Sequence, residues 1–263
     1  HSIIGLTISG GQNDAGLFGY THLATIRNVV IRNPQIEGRG EVGALVGRQG
    51  YSSTGIEKCA VIGGRIQGAG SVGGLVGYME ESPLQNCYTT CEVAATFAKA
   101  GGIVGAHKVG SGLENCYATG NVSGSEKSGG IAGQAQNVER CVALGQTVTG
   151  ASSHRVLSES NGKLNVYAWR GMKVDGNTVT DGAANNENGA DLVCNGGALS
   201  TQFSEIFAND DAWTYTENGL PILKAVKGEQ SSELPSWMLG SETTIYITTA
   251  QQLKQLADEV NAG

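Results

Sequence analysis

The block VGALVG at residues 42–47 returns as VGGLVG at 72–77 and as AGGIVG at 100–105, and these copies decide the fold. Related copies stand at 15–19 (AGLFG) and at 128–133 (SGGIAG). The closing glycines of the five blocks are 28, 30, 28 and 28 residues apart. A short block that returns at a nearly constant interval predicts a protein built from stacked repeats.

A second block follows each copy and carries one position that is always a small or β-branched apolar residue. That position is held by Val29, Cys59, Cys87, Cys116, Cys141 and Val166. The blocks contain short apolar runs bounded by glycine and no sustained helical period, which predicts two or three strands in each repeat. A unit this short cannot bury its own apolar face, but stacked units can.

These features predict an all-β fold, a right-handed parallel β-helix (solenoid) with turns of about 28 residues. Crossovers between parallel strands are nearly always right-handed, which sets the predicted hand. Successive turns of a coiled sheet lie about 4.8 Å apart, so equivalent residues form ladders. We expect the column of cysteine and valine to be a structural ladder that faces inward.

The two blocks together resemble a known repeat. VGGLVG followed by NCY at 86–88, and AGGIVG followed by NCYATG at 115–120, are similar to the GLUG repeat. That family includes bacterial surface adhesins and the amino-terminal regions of zinc-type immunoglobulin A peptidases. The resemblance covers residues 1–150 best, and it implies a β-solenoid scaffold on a bacterial surface protein.

Matches and composition divide the chain into four parts. Regular turns are predicted over 1–150, a degenerate turn and closing segment over 151–227, and a linker over 228–242 around Pro235. Residues 243–263 resemble the strand and helix that open another module. The predicted short C-terminal helix places four apolar residues on one face: Leu253, Leu256, Ala257 and Val260.

Composition narrows the class of protein. Glycine contributes 41 of 263 residues and proline only 4, without a three-residue period, which argues against collagen and against proline-rich disorder. Seventeen basic against 24 acidic residues give a net charge of −7, so a nucleic-acid partner is not expected. No apolar run is long enough to predict a membrane span. The chain opens on the strand-like HSIIGLTISGG, so we expect a fragment of a longer protein whose leader is already removed.

Motifs for cofactors and catalysis are weak. The pattern G-x-G-x-x-G occurs at 38–43 and at 68–73, but each copy leads into another strand, so a structural turn is the preferred interpretation. No H-E-x-x-H or G-x-S-x-G motif occurs. The histidines are far apart in sequence: His1, His22, His107 and His154. We therefore predict no catalytic residue, no cofactor and no metal site.

One polar column is the nearest approach to a catalytic set. It contains Arg27, Glu57, Gln85, Glu114 and Glu139. Carboxylates clustered on adjacent turns could serve a polysaccharide lyase or hydrolase of the β-helix type. A solvated corner of the solenoid explains the same column and is the preferred interpretation.

A calcium site is a further alternative. Asp175, Asn177, Asp181 and Asp191 lie in the oxygen-rich stretch DGNTVTDGAANNENGAD. Calcium prefers such ligands, but the spacing departs from the EF-hand pattern and a polar loop would have the same composition. The sequence leaves both readings open and favours the loop.

Six cysteines could form three disulfides in a secreted protein. Four of them share the inward column, where stacked strands hold side chains parallel, a poor match for disulfide geometry. We therefore predict free, buried thiols.

Tyr88, Tyr117 and Tyr167 occupy one repeat phase beside the cysteine column. Alternation along a strand would turn them outward, as an aromatic ladder able to contact a sugar or a protein partner. A covering loop is the alternative and the preferred one.

The function predicted from the sequence is a noncatalytic module, extracellular or on the bacterial cell surface, that serves adhesion or rigid display. Its partner would be a host or surface protein or a glycan. An enzyme acting on polysaccharide and an accessory domain of a surface peptidase remain alternatives. Residues 243–263 are also predicted to dock on an open amino-terminal turn, in their own molecule or head-to-tail in a neighbour.

Overall fold

The chain winds into a parallel β-solenoid of about six turns of roughly 28 residues, as the sequence predicts. The computed structural model describes residues 2–52, 54–108, 110, 112–193, 198–217, 219–224, 226 and 228–239. Its strands form four sheets along the solenoid, named A to D here. The turns stack so that each strand pairs in parallel with its counterpart in the next repeat.

Each full turn contributes two short strands to sheet A and one strand to each other sheet. One ladder of sheet A contains Ser2–Ile4, Val30–Arg32, Ala60–Ile62, Tyr88–Thr89 and Tyr117–Ala118, and the other contains Ile26–Arg27, Ile56–Glu57, Leu84–Gln85 and Leu113–Glu114. Val138–Ala143 joins both ladders and is followed by Leu164–Trp169 and Ala190–Leu192.

The remaining three sheets form the other sides of the coil. Sheet B contains Thr7–Ile8, Gln35–Gly38, Arg65–Gly68, Glu92–Ala95, Val122–Gly124, Thr147–Thr149, Lys173–Val174 and the antiparallel Asn177–Thr178. Sheet C contains Asp14–Ala15, Glu41–Gly43, Val72–Gly73, Lys99–Gly101, Lys127–Gly129 and Ser152–His154. Sheet D contains Phe18–Thr21, Val46–Gln49, Val76–Met79, Val104–His107, Ala132–Ala135 and Leu157–Ser160.

The recurring glycines are required where the backbones of successive turns approach closely. A Cβ added at Gly77 would lie 2.4 Å from the backbone nitrogen of Val42, and one at Gly105 would lie 2.5 Å from that of Val72. No side chain fits at such distances, so the glycine at the end of the VGGLVG block is a packing requirement. The segment GAGSVG at 68–73 joins two strands, which confirms the structural turn predicted there.

The corner between the two ladders of sheet A has its own backbone signature. One residue in each of five turns has left-handed φ, between 52° and 59°: Asn28, Lys58, Asn86, Asn115 and Arg140. Asparagine tolerates this region better than most residues, which explains the Asn of the NCY motif. The next residue in each turn belongs to the column of cysteine and valine.

A segment without repeats covers the outer face of sheet A. We call it the C-terminal cover, the described residues between 198 and 239. It contains helix α1 (Ala198–Ile206), a hairpin of Trp213–Thr214 with Ile222–Leu223, and a 3₁₀ turn at Ser236–Met238. Its apolar side chains Phe203, Phe207 and Trp213 are fully buried.

The stretch predicted to be a linker, 228–242, contacts the solenoid in its described part. Glu229 pairs with Arg32, the indole of Trp237 donates to the carbonyl of Leu144 (3.2 Å), and Met238 is buried. The predicted cap at 243–263 and its helix lie outside the described residues, and the one α-helix within them is α1.

A buried arginine holds the last turn. Arg155 is fully buried, and its guanidinium donates to the carbonyls of Asn188 (2.9 Å) and Gly189 (2.7 Å) and to Asp191 Oδ1 (2.7 Å). A buried charge needs such a complete set of acceptors.

Across the residues that the structure describes, no helix is long and apolar enough to cross a membrane.

Candidate functional site

The predicted polar column lies in register along sheet A. Arg27 pairs with Glu57, Glu57 with Gln85, Gln85 with Glu114, and Glu114 with Glu139 on successive strands. Gln85, Glu114 and Glu139 line a shallow cleft of about 230 Å³. Two carboxylates, those of Glu114 and Glu139, therefore line the same cleft.

Basic and amide groups already engage these carboxylates. Arg140 forms an ion pair with Glu114, and its Nη1 lies 3.8 Å from Glu139 Oε2. The same guanidinium donates through Nε to Asn115 Oδ1 at 2.7 Å. In the adjoining turns Glu57 accepts from Gln85 Nε2 (3.1 Å) and lies 3.6 Å from Arg27 Nε. Each of these carboxylates therefore already has a partner within the protein.

The tyrosine ladder predicted to contact a ligand is buried in two of its three members. Tyr88 and Tyr117 are 1% and 0% exposed, so they are closed to a ligand while the cover is in place. Tyr167 is half-buried and does not continue the ladder, because Val142 stands between it and Tyr117. The covering segment that the sequence favoured as the alternative is therefore what the structure has.

The cover holds this ladder by ring contacts and hydrogen bonds. Tyr117 Oη donates to the carbonyl of Pro221 (2.9 Å), and Tyr88 Oη donates to Gln230 Oε1 (3.0 Å). The ring centroid of Trp213 lies 5.7 Å from that of Tyr117, and Phe203 meets Tyr117 edge-on at 5.6 Å. Because the rings are enclosed, burial raises the pKa of both tyrosines.

The asparagines of the NCY motif also bind the cover, a role that the sequence did not indicate. Asn86 Oδ1 accepts a hydrogen bond from Trp213 Nε1 at 3.0 Å, and Asn115 Nδ2 donates to Asp210 Oδ2 at 2.9 Å. Their left-handed backbone turns the side chains outward at the corner. Nothing in the repeat pattern pointed to residues 210 and 213, which lie about a hundred positions away.

The cysteine column lies largely in the interior of the solenoid. Cys59, Cys87, Cys116, Cys141 and Val166 are fully buried, Val29 is half-buried, and all five described cysteines are free. The four thiols donate to carbonyls two residues earlier, at 3.1 to 3.4 Å, across the left-handed corner. Burial raises the pKa of Cys91 to about 12 and those of Cys87, Cys116 and Cys141 well above the usual range. Cys194 lies outside the described residues.

The residues considered for calcium are engaged by the protein itself. Asp191 contacts Arg155 (2.7 Å) and Arg170 (3.5 Å), and Asp181 Oδ1 accepts from Asn188 Nδ2 (3.0 Å). Asp175 Oδ1 accepts from the backbone of Gly150, and Asn177 donates to the carbonyl of Asp175. Within the described part of the chain, no three His, Cys, Asp or Glu side chains are grouped to hold a metal ion.

The histidines are dispersed. His22 is exposed, His154 is half-buried and His107 is buried, while His1 lies outside the described residues. Burial lowers the pKa of His107 to about 4, and a backbone contact at Ser82 offsets only part of that shift. None of the three described histidines is part of a catalytic arrangement.

The connection between strands at one corner of the solenoid varies in length from turn to turn. The sequence pattern did not indicate this corner. The connections from sheet D to sheet A have two to six residues: 22–25, 50–55, 80–83, 108–112, 136–137 and 161–163. Between residues 26 and 160 the other corners are two or three residues long. Insertions confined to one corner of a repeat protein often mark its binding face. We call this corner the loop edge.

Comparison with known proteins supports the fold. No protein-family model matches the chain, and no curated protein matches it. Among solved structures it is similar to a putative immunoglobulin A1 protease from Bacteroides ovatus, with a TM-score of 0.68 and 24% identity. The match covers 85% of this chain and 75% of the other one. At this identity the likeness concerns the fold alone.

Proposed function

We propose that this chain is a noncatalytic module of a secreted or surface-exposed bacterial protein, a rigid solenoid that presents the loop edge for adhesion or display. The observation that carries the proposal is the combination of a constant scaffold with length variation at one corner. Scaffolds of this kind keep loops at fixed spacing, because each turn packs only on its neighbours. The GLUG-like blocks support a place in a surface protein.

The ion pairs at Arg140 favour a structural role for the polar column over the enzyme alternative. Glu114 forms an ion pair with Arg140, and the same guanidinium lies 3.8 Å from Glu139, so both carboxylates contact a cation of the protein itself. A decisive test is to incubate the chain with a panel of polysaccharides and measure reducing ends and unsaturated products. Product formation that disappears in Glu114→Gln and Glu139→Gln would overturn the proposal.

The surface location has a separate test. Antiserum raised against the purified chain should label intact cells of the source organism, and mild protease treatment of those cells should remove the label. Labelling only after the cells are broken open would contradict the proposed location, whatever the polysaccharide assays show.

An accessory domain of a surface peptidase is a second candidate, favoured by the similarity to the Bacteroides ovatus protein. In that case the module would hold a catalytic domain away from the cell surface or orient its substrate. The complete gene product decides between the two: an H-E-x-x-H motif downstream favours the peptidase, whereas an anchor and further repeats favour an adhesin.

A further inference from the structure

Two tyrosines and an arginine occupy one outward position on the three successive strands of sheet D that lead into the loop edge. Tyr20 pairs in register with Arg48, and Arg48 pairs with Tyr78. The two tyrosines are thus two strands apart, about 10 Å along the solenoid. Tyr20 is 58% exposed, and Arg48 and Tyr78 are partly exposed.

Further aromatic side chains extend this surface onto the loop edge. The rings of Tyr20 and His22 are stacked, with centroids 6.5 Å apart and planes 9° apart. Both lean over Gly50, where an added Cβ would lie 2.9 Å from Tyr20 Oη and from His22 Nδ1. Tyr51, the next residue of that connection, is 47% exposed. We call these five residues (Tyr20, His22, Arg48, Tyr51 and Tyr78) the aromatic strip.

The strip is held in place by its own contacts. The guanidinium carbon of Arg48 lies 5.1 Å from the ring centroid of Tyr78, and its Nη2 is 2.6 Å from Glu80 Oε1. A cation over a ring and an ion pair at the same arginine fix both side chains without burying them. Ordered aromatic rings cost little conformational entropy when a ligand binds.

The charges of the strip and of the whole chain favour some classes of ligand over others. The cation of the strip is already paired with Glu80, and the whole chain carries a net charge of −7. An acidic glycan or an anionic membrane would therefore meet no unpaired cation at Arg48 and a repulsive overall field. A neutral ligand suffers neither disadvantage.

We propose that the aromatic strip is a binding site for a neutral glycan chain that runs along the solenoid axis. A sugar ring has an apolar C–H face and polar hydroxyls around its edge, and tyrosine offers the matching apolar ring and polar tip. In an extended β-linked chain every second sugar turns the same face toward a surface, so ligand sites two strands apart can engage one chain. This inference rests on the proposed display function and names its ligand class.

The test is affinity gel electrophoresis of the purified chain in gels that contain hydroxyethylcellulose, xyloglucan or galactomannan, with polygalacturonate as the acidic comparison. At least one neutral polysaccharide should retard the chain. Replacing both rings (Tyr20→Ala with Tyr78→Ala) should weaken that binding by about tenfold or more. Phe97→Ala is the matched control, because this ring is 74% exposed and lies away from the strip.

Three results of the gel experiment would overturn the inference, and a fourth comes from a separate test with a mucin. They are no retardation by any neutral polysaccharide, a preference for polygalacturonate, or full binding by a double variant whose melting temperature is unchanged. A protein partner is distinguished with a mucin before and after enzymatic deglycosylation. Strip-dependent binding to the deglycosylated protein would assign the surface to a polypeptide and end the glycan proposal. None of these outcomes depends on catalysis or on cell-surface labelling, so the display function is judged separately.

Discussion

Tyr88 and Tyr117 lie in register on neighbouring strands with ring centroids 4.9 Å apart and planes 6° apart, and the C-terminal cover hides both from solvent. Within the solenoid the two tyrosines form a ladder of the kind expected for equivalent residues on adjacent strands. Phe203, Phe207 and Trp213 pack around this pair on the outer face of sheet A and extend the hydrophobic core there. The solenoid and its cover are thus expected to unfold together.

Removing one buried hydroxyl should destabilise this cluster. In Tyr117→Phe the carbonyl of Pro221 loses its donor, and we expect a loss of about 1 to 2 kcal/mol in the free energy of unfolding. Urea denaturation followed by tryptophan fluorescence measures it. Tyr51→Phe is the control, because that side chain is 47% exposed and should change stability by less than about 0.5 kcal/mol. Equal effects in the two variants would contradict the role of the cover.

The thiols should be free and unreactive in the native protein. Burial raises the pKa of Cys87, Cys91, Cys116 and Cys141, so little thiolate is present to react at neutral pH. Titration with a thiol reagent without reductant should therefore be slow in buffer and should find at least the five described cysteines after unfolding in guanidinium. Finding none free after unfolding would refute the stacked-thiol ladder.

A hydroxyl should replace the Cys116 thiol at a modest cost. The Sγ donates to the carbonyl of Glu114 at 3.1 Å, so a serine at this position keeps an acceptor. We expect Cys116→Ser to destabilise by about 1 kcal/mol, the lower end of the range of about 1 to 3 kcal/mol for a buried polar group. Cys116→Ala loses both the bond and the volume and should cost more. A more stable Ala variant would show that the bond across the corner contributes nothing.

The free energy of unfolding should decrease as the pH is lowered, because of His107. Its pKa is lowered from 6.5 to about 4 by burial, so the unfolded chain binds a proton that the folded chain does not. The stabilisation is complete above pH 6.5 and is lost as the pH falls from 6.5 toward 4, by up to about 3 kcal/mol. The free energy of unfolding should be compared between the wild type and His107→Met, since Met79 occupies the same column one turn away. The free energy of unfolding of the wild type should fall relative to that of the variant as the pH drops from 6.5 toward 4, and parallel curves would disprove the assignment.

The head-to-tail association through residues 243–263 stays a prediction from sequence. Among the described residues, the first strands, Ser2–Ile4 and Thr7–Ile8, pair with Val30–Arg32 and Gln35–Gly38, and the prediction places residues 243–263 on their other side. Deleting residues 243–263 should lower the mass in sedimentation equilibrium, the melting temperature, or both. An unchanged monomer with unchanged stability would show that the segment does not dock.

Columns of equivalent residues could be predicted because a parallel solenoid converts sequence spacing directly into spatial register. The predicted neighbours Glu57, Gln85 and Glu114 are paired on adjacent strands, and the inward position of Cys87 and Cys116 follows from the same rule. Such contacts join residues one repeat apart, so a single sequence contains the information. The recurring glycine-rich blocks and the turn length of about 28 residues therefore sufficed to predict the fold.

The ion pairs of the polar column could not be predicted from the repeat spacing. Arg140 follows Glu139 directly, yet it reaches Glu114 on the preceding turn and Asn115 beside it. Its left-handed φ of 53° turns the side chain along the corner, and no propensity marks an arginine for that conformation. The contacts of these two glutamates with Arg140 were therefore not among the predictions from sequence.

The solenoid could be predicted from the sequence because its turns and their register depend on a local pattern repeated at a constant interval. The tertiary structure alone decided what lies against the outer face of sheet A. Tyr88 is hydrogen-bonded to Gln230, 142 residues away in sequence, and Tyr117 to Pro221, 104 residues away. The C-terminal cover contains no repeat, so no sequence pattern indicates where it packs. The cover packs on sheet A because aromatic side chains of both parts are removed from water when they come into contact. The resulting gain in free energy depends on complementary shapes that exist only once both parts have folded.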